Sequence, residues 1–278
     1  MIRPLHKDDA FLEDVRSKVP DGAELRVWWL GQSGFLIQWN GHHLLLDPYL
    51  SDSLTRKYGQ TDKPHVRMTE QVIDPARLNF IEAVTSSHNH TDHLDGETLT
   101  PLMRANPSLR IVVAEANREF AADRLQVEPD HLLGLAVGRA IDIGPWNLEA
   151  VPAAHEDLET DAMGHHRYVG YFVRVGKWTL YHSGDTVQYP GMSQALASGR
   201  IDLAMLPING SRPERRVAGN MWGREAAQLA RDIKAGCVIP CHYEMFEFNT
   251  ESPDEFIQTC RELGQPFKVL RAGESWAI

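Results

Sequence analysis

The sequence predicts a layered α/β fold. Three observations carry that expectation. Short runs of β-branched, aromatic and leucine residues, bounded by turn residues, fall into two strand-rich halves. Helix-patterned segments stand between and after these runs. The 278 residues, 42% of them hydrophobic, suffice to bury a substantial core, and no linker or internal repeat divides them.

Residues 8–18 carry a helix pattern that Pro20-Asp21-Gly22 ends. Three strands follow in close order. Residues 24–30 lead into Gly31-Gln32-Ser33-Gly34, and residues 35–39 lead into Asn40-Gly41, a strong hairpin signal. Residues 42–47 complete a meander that Asp47-Pro48 stops. His42 and His43 flank the hairpin turn and read as solvent-facing or edge residues, not as ligands. Residues 52–79 are polar and irregular, with Arg56, Lys57, Lys63 and Arg67; they read either as a loop over a site mouth or as a solvated connector. Phe80-Ile81-Glu82-Ala83-Val84 then reads as a buried strand.

That strand runs into the most informative stretch of the chain, Ser87-His88-Asn89-His90-Thr91-Asp92-His93-Leu94-Asp95. Three histidines and an aspartate fall within six positions. Neutral imidazole and carboxylate are ligands of zinc, manganese and iron. His88 and His90, two apart, can point into one metal site, and Asp92 and His93 can reach a second. Desolvating so many imidazoles side by side needs a partner that binds them. The stretch resembles the metal-binding signature of the metallo-β-lactamase superfamily. Within it, Trp29-Leu30-Gly31-Gln32-Ser33-Gly34-Phe35, Leu46-Asp47-Pro48-Tyr49-Leu50-Ser51, His182-Ser183-Gly184-Asp185-Thr186, Leu206-Pro207-Ile208-Asn209-Gly210, Gly219-Asn220-Met221 and Pro240-Cys241-His242-Tyr243 are similar to the L-ascorbate-6-phosphate lactonase group. The resemblance covers residues 28–246. It implies a four-layer αββα sandwich, which the two strand-rich halves suit, as one hydrolase domain over residues 1–278. It also implies that Asp47 supports the metal-binding loop without itself being a ligand. His90 stands where the oxygen-reducing di-iron branch has glutamate, which argues against that branch.

The rest of the chain follows in the same terms. A helix is expected near 95–104; Pro101 requires either that it start at Thr100 or that the proline sit in its first turn. Residues 109–114 read as a strand, 116–135 as helix broken near Pro129, and 141–145 with 146–151 as a strand pair. That pair leads to His155, which the resemblance makes the third imidazole of the first metal site. Residues 156–166 form an acidic loop whose His165 and His166 either line a substrate pocket or are incidental to it. Residues 168–175 and 177–182 form a hairpin turning at Gly176. Gly184 allows a sharp turn that aims Asp185 inward, and by the resemblance Asp185 bridges two metals.

A helix over 190–198 and a buried strand over 201–207 come next, opening onto Asn209. Arg212-Pro213-Glu214-Arg215-Arg216 is the densest basic cluster; Arg212 and Arg215 read either as a clamp for an anionic substrate or as a solvated turn. Asn209, Arg212 and Arg215, with His165 and His166, are the candidate substrate contacts. Residues 221–235 form an amphipathic helix with Trp222, Ala226, Leu229 and Ile233 inward. Residues 236–242 are the last inner strand. The resemblance makes His242 a ligand of the second site, whereas alternation turns Cys241 into the packing. Ser252-Pro253-Asp254-Glu255 reads as a capping box opening a helix that buries Phe256, Ile257, Cys260 and Leu263, and residues 267–270 close a sheet edge.

The assembled expectation is a site of two divalent ions. His88, His90 and His155 hold one, Asp92, His93 and His242 the other, and Asp185 is shared. The imidazole-rich first site suits zinc, while the lactonase group implies manganese. A hydroxide held between the ions would attack an ester carbonyl or phosphorus, with Asp92 and Asp185 as the catalytic carboxylates. The expected activity is hydrolysis of a small-molecule ester, foremost a lactone such as a sugar lactone or its phosphate. Two alternatives are a phosphodiesterase or nuclease, and a non-catalytic metal-binding protein. A net charge of −10 repels nucleic acid and anionic membranes. No apolar run spans a bilayer, and the charged N-terminus lacks a signal-peptide core. Cys237, Cys241 and Cys260 are too few and too odd for a disulfide framework and fit the cytoplasm. The expected partner is a small-molecule substrate, with an anionic group as one option, and the resemblance hints at a homo-oligomer.

Overall fold

Two β-sheets pack face to face in this computed structural model, which describes residues 1–17, 24–197 and 199–278. The chain opens with helix α1 (Asp9–Ser17), which buries Phe11, Leu12 and Val15. The first sheet then builds from β1 (Arg26–Gly31), β2 (Gly34–Trp39) and β3 (His42–Leu46), an antiparallel meander. Its β2–β3 turn is Asn40-Gly41, both at positive φ as a two-residue hairpin requires. Helix α2 (Ser53–Tyr58) follows, then β4 (Ala83–Ser86), α3 (Gly96–Ala105), β5 (Arg110–Ala114), α4 (Arg118–Leu125) and β6 (Leu132–Leu135). β3 to β6 run parallel, because helical crossovers return the chain to the same end of the sheet.

The second sheet comprises β7 (Ala140–Ile143), β8 (Trp146–Pro152), β9 (Val169–Val175), β10 (Trp178–His182), β11 (Leu203–Pro207) and β12 (Cys237–Cys241). β7 to β10 are antiparallel, while β10, β11 and β12 are parallel. Helices α5 (Met192–Leu196), α6 (Gly223–Asp232) and α7 (Asp254–Leu263) belong to this half, and α6 packs on β11 and β12. β13 (Ser275–Ala277) crosses back to pair with β1. The expected four-layer order, helices outside two sheets, is the order observed. One continuous apolar core joins the sheets. Trp29 stacks on Tyr243 at 4.6 Å, and the buried Tyr171 hydroxyl on β9 donates to Ser86 O on β4 at 2.9 Å.

Several expectations need correction. Residues 132–135 are not helical; Leu132 and Leu135 are buried because β5 takes them as its parallel neighbour. Pro101 lies inside α3, not in its first turn. Asp95 starts that helix by accepting from Glu97 N and the Thr98 hydroxyl, and the helix tolerates the one backbone donor that proline lacks. His43 is buried, not at an edge, because β3 lies between β2 and β4; its ring contacts Gln38 at 3.0 Å and Phe80 edge-on. Burial there lowers the His43 pKa to about 4. The segment expected to be irregular over 52–79 includes α2. Ser252 does not form a capping box: its hydroxyl accepts from Asp254 N at 3.2 Å, while Glu255 pairs with Arg224. Trp222 precedes α6 and is half-buried. Residues 267–270 contribute one bridge, Phe267 to Val238, not a strand. Lys18, Pro20-Asp21-Gly22 and Ser198, which figured in the expected ends of two helices, lie outside the described residues. No helix among the described residues is long and apolar enough to cross a membrane.

Candidate metal centre

The site lies where carboxyl ends of strands from both sheets meet. β3 delivers Asp47, β4 delivers residues 87–93, β8 leads to His155, β10 to Asp185 and β12 to His242. Asp47 and His242 adopt φ of 39° and 60°, so each chain turns sharply just past its strand. Gly184, at φ 59°, sits so close to the metal loop that a Cβ there would lie 2.6 Å from Ser87 Cβ. The glycine thus lets the loop bearing Asp185 nest against the loop bearing the histidines.

Two groups of side chains converge: His88, His90 and His155; and Asp92, His93, Asp185 and His242. Within each, one potential ligand atom per residue lies within 4.8 Å of all the others. His155 Nε2 is 3.2 Å from His90 Nδ1. Asp185 Oδ1 is 3.2 Å from His93 Nε2, and its Oδ2 is 3.1 Å from His242 Nε2 and 3.8 Å from His155 Nε2. Its carboxylate therefore stands between the two groups, the place expected of a shared ligand.

The donor set suits divalent cations. The Nε2 atom of His88 is buried and lacks a hydrogen-bond partner, and that of His93 faces only carboxylates of its own group. A buried lone pair without a partner is costly unless a cation meets it. The other nitrogen of each ring is already engaged. His93 Nδ1 is 2.7 Å from Asp47 Oδ2, and His88 Nδ1 is 3.0 Å from the Ser87 hydroxyl, which itself donates to Asp47. Asp47 thus orders two ligand rings while also accepting from Ser87 N at 3.0 Å and Thr85 Oγ1 at 3.1 Å. This is the supporting role that the family resemblance implies for it.

The electrostatics divide along the same line. Burial, reinforced by neighbouring His93 and His90, holds the His88 imidazole well below its usual pKa. Burial lowers His155 to about 4. Burial alone would also lower His93 and His242, but the Asp185 and Asp92 carboxylates outweigh it. His93 is raised well above its usual value and His242 to about 9. Asp185 and Asp92 move down: burial opposes ionisation, and the cationic imidazoles win. One group is thus made of neutral rings; the other balances carboxylates against protons that a cation would displace.

Sequence reasoning missed Gln32. It sits in the β1–β2 turn at φ 50°, almost fully buried, with its amide nitrogen 2.7 Å from Asp92 Oδ2. The same nitrogen is 2.9 Å from His242 Nε2, where it donates only to a neutral ring. Its place in the Trp29–Phe35 motif, between a strand end and a glycine-rich turn, was the available signal. Cys241 is buried and outside both groups, in line with the alternation argument.

His90, Asp92, His155, Asp185 and His242 line a cavity of about 360 Å³. Tyr58, His65, Phe246 and Phe248 supply an aromatic wall, and Lys57, Lys63 and Arg124 also line it. A wider depression of about 770 Å³ beside Thr55 and Arg67 is lined by none of the seven cluster residues. Four of the candidate substrate contacts lie elsewhere. Arg212 and Arg215 both pair with Glu251, and Arg215 also donates to Thr250 O at 2.9 Å and to Asn209 O. His165 faces Asp161 at 3.5 Å, and His166 bridges to Thr160 within the same loop. Asn209 is buried and reaches the cavity only through Asn249, at 2.9 Å. Arg212 and Arg215, read as either a clamp or a solvated turn, tie one loop to another instead.

Comparison with known proteins agrees with this geometry. A UPF0173 metal-dependent hydrolase of Methanopyrus kandleri is 29% identical over 259 residues, covering 91% of this chain and 99% of the relative. Two solved structures share the fold with a TM-score of 0.71. One is a possible metal-dependent hydrolase of Veillonella parvula, 15% identical, covering 90% of this chain and 98% of the other. The second is an isothiocyanate hydrolase from Delia radicum gut bacteria, 17% identical, covering 91% and 98%. The family model of the β-lactamase superfamily domain matches residues 26–242, a span that holds all seven cluster residues. By its motif, its fold and this match, the chain belongs to the metallo-β-lactamase superfamily.

Proposed function

We propose that this protein is a metal-dependent hydrolase acting on an ester bond of a small molecule, foremost a lactone. The observation that carries the reading is the pair of potential ligand groups, His88, His90 and His155 beside Asp92, His93, Asp185 and His242, at one small cavity. The metal-dependent hydrolase name of the Methanopyrus kandleri relative supports it. The motifs similar to the lactonase group favour a lactone, and a cavity of about 360 Å³ suits a small molecule better than a polymer.

When bound, two divalent cations supply Lewis acidity and a lowered water pKa. His88, His90 and His155 would hold one ion, and Asp92, His93 and His242 the other, with Asp185 common to both. Zinc and manganese both suit these donors. Asp92 lines the cavity, where it would orient an attacking water and carry its proton towards the departing alkoxide. Gln32 holds one Asp92 oxygen in place for that transfer. Tyr58, Phe246 and Phe248 shield the reacting carbonyl from bulk water.

The test is to measure bound metal on the purified protein, strip it, restore zinc or manganese, and assay lactones beside phosphodiesters. Turnover of a lactone that depends on the metal and fails in His90→Ala is expected. Loss of all hydrolysis in both classes, with metal restored, would overturn the reading.

A further inference from the structure

We propose that Lys57, Lys63 and Arg124 form a subsite for an anionic group of the substrate, a carboxylate or phosphate. The inference rests on the hydrolase reading for its substrate but not for its binding chemistry. All three cations line the cavity over the candidate metal centre. Among the described residues its only lining carboxylates are Asp92 and Asp185, both members of the potential ligand groups.

These cations differ from several neighbours around the same end of the fold. Nearby cations are neutralised by partners: Arg56 by Glu97, Arg67 by Asp52, Arg212 and Arg215 by Glu251, Arg216 by Asp62. Among the described residues no carboxylate forms a close ion pair with Lys57, Lys63 or Arg124, and Asp62 and Asp95 act on Lys63 and Arg124 only from a distance. Lys57 Nζ lies 5.1 Å from the Tyr58 ring centre. Lys63 Nζ donates to the backbone oxygen of Arg216. Arg124 Nη1 donates to Asn89 O at 2.6 Å and Leu94 O at 3.0 Å, and its guanidinium stacks 4.5 Å from the Phe120 ring centre. That anchoring fixes the guanidinium beside the metal-binding loop and leaves its other nitrogens for a ligand.

Such an arrangement in a chain of net charge −10 concentrates positive potential where the surrounding field is negative. The adjoining wall carries the stacked Tyr58–His65 pair, 4.4 Å apart, with Phe246 and Phe248 against His65. The chemistry it fits is a small organic anion whose apolar or flat part lies on the aromatic wall. The hydrolysable bond then sits over the ligand groups and the charge at the rim.

The experiment is calorimetric titration of the holoprotein with hippurate, with its neutral amide hippuramide, and with phenyl phosphate. Hippurate is expected to bind more tightly than hippuramide. The double variant Lys57→Ala/Lys63→Ala should weaken anion binding about tenfold, the scale of one charge-assisted hydrogen bond. The same loss should persist after EDTA treatment, since it does not come from the metals. Arg124→Gln should act in the same direction, with its melting temperature followed because Arg124 also braces the loop. Comparing hippurate with phenyl phosphate ranks carboxylate against phosphate. Equal affinity for hippurate and hippuramide, no binding of any probe, or a variant effect that vanishes with the metal would overturn the proposal. Binding is read without turnover, so failure of the hydrolysis assays leaves this result standing on its own.

Discussion

Asp47→Asn isolates the part of the site that no metal ion touches. Four donors converge on this buried carboxylate: Ser87 N, the Ser87 and Thr85 hydroxyls, and His93 Nδ1. Asparagine fills the same volume and tolerates the φ of 39°, so backbone strain does not enter. It keeps one acceptor oxygen and replaces the other by a donor. Each buried donor left facing the new amide costs about 1–3 kcal/mol. His93 can then carry its proton on Nε2, the atom 3.2 Å from Asp185, where it blocks a cation. Loss of such a supporting contact lowers metal affinity by about 10- to 100-fold. Zinc competition against a chromophoric chelator measures the affinity, and urea unfolding of the stripped protein separates it from stability. Wild-type zinc affinity in Asp47→Asn would refute the claim that Asp47 sets the ligand tautomer.

Three further outcomes follow from the same geometry. Gln32→Leu removes the donor at Asp92 and is expected to lower lactone turnover about tenfold; metal analysis should still find zinc retained by the three-histidine group, and unaltered turnover would contradict the role given to Gln32. Gly184→Ala places a Cβ 2.6 Å from Ser87 Cβ and 2.8 Å from Val169 O at φ 59°; a stability loss of about 1–3 kcal/mol is expected by urea unfolding, and a neutral effect would mean that the two loops do not nest. The third concerns pH. The folded pKa of His242 lies at about 9, above its usual 6.5, because the Asp185 carboxylate outweighs burial. A raised folded pKa gives stability that is full below pH 6.5 and is lost as pH rises through about 9. The metal-free protein should therefore weaken across that window by about 3 kcal/mol, at 1.36 kcal/mol per pKa unit. Flat or rising stability there, by denaturant titration, would contradict the ion-pair network.

The local parts of this protein were legible in its residues. Ligands at positions 88, 90, 92 and 93 share one loop, so their spacing alone announced the chemistry. Apolar runs and the Asn40-Gly41 turn defined the first meander, since strand pairing across a two-residue loop is a local matter. Residues 132–135 were misread because a short apolar run has no period of its own; its neighbour β5 makes it a strand. His155, Asp185 and His242 were placed by family resemblance, not by spacing, because each comes from a different strand end.

What tertiary structure alone decided is which charges remain free. Arg212 and Arg215 look like an anion clamp in sequence, yet Glu251, some 35 to 40 positions away, neutralises both. Lys57 and Lys63 in one segment and Arg124 in another line one cavity, with no carboxylate in a close ion pair with them among the described residues. Gln32 became part of the site only when the β1–β2 turn met Asp92 and His242. The physical reason is common to all of these. A side chain's chemical type is set by its own residue, but its charge state, partners and direction are set by whatever the fold brings against it.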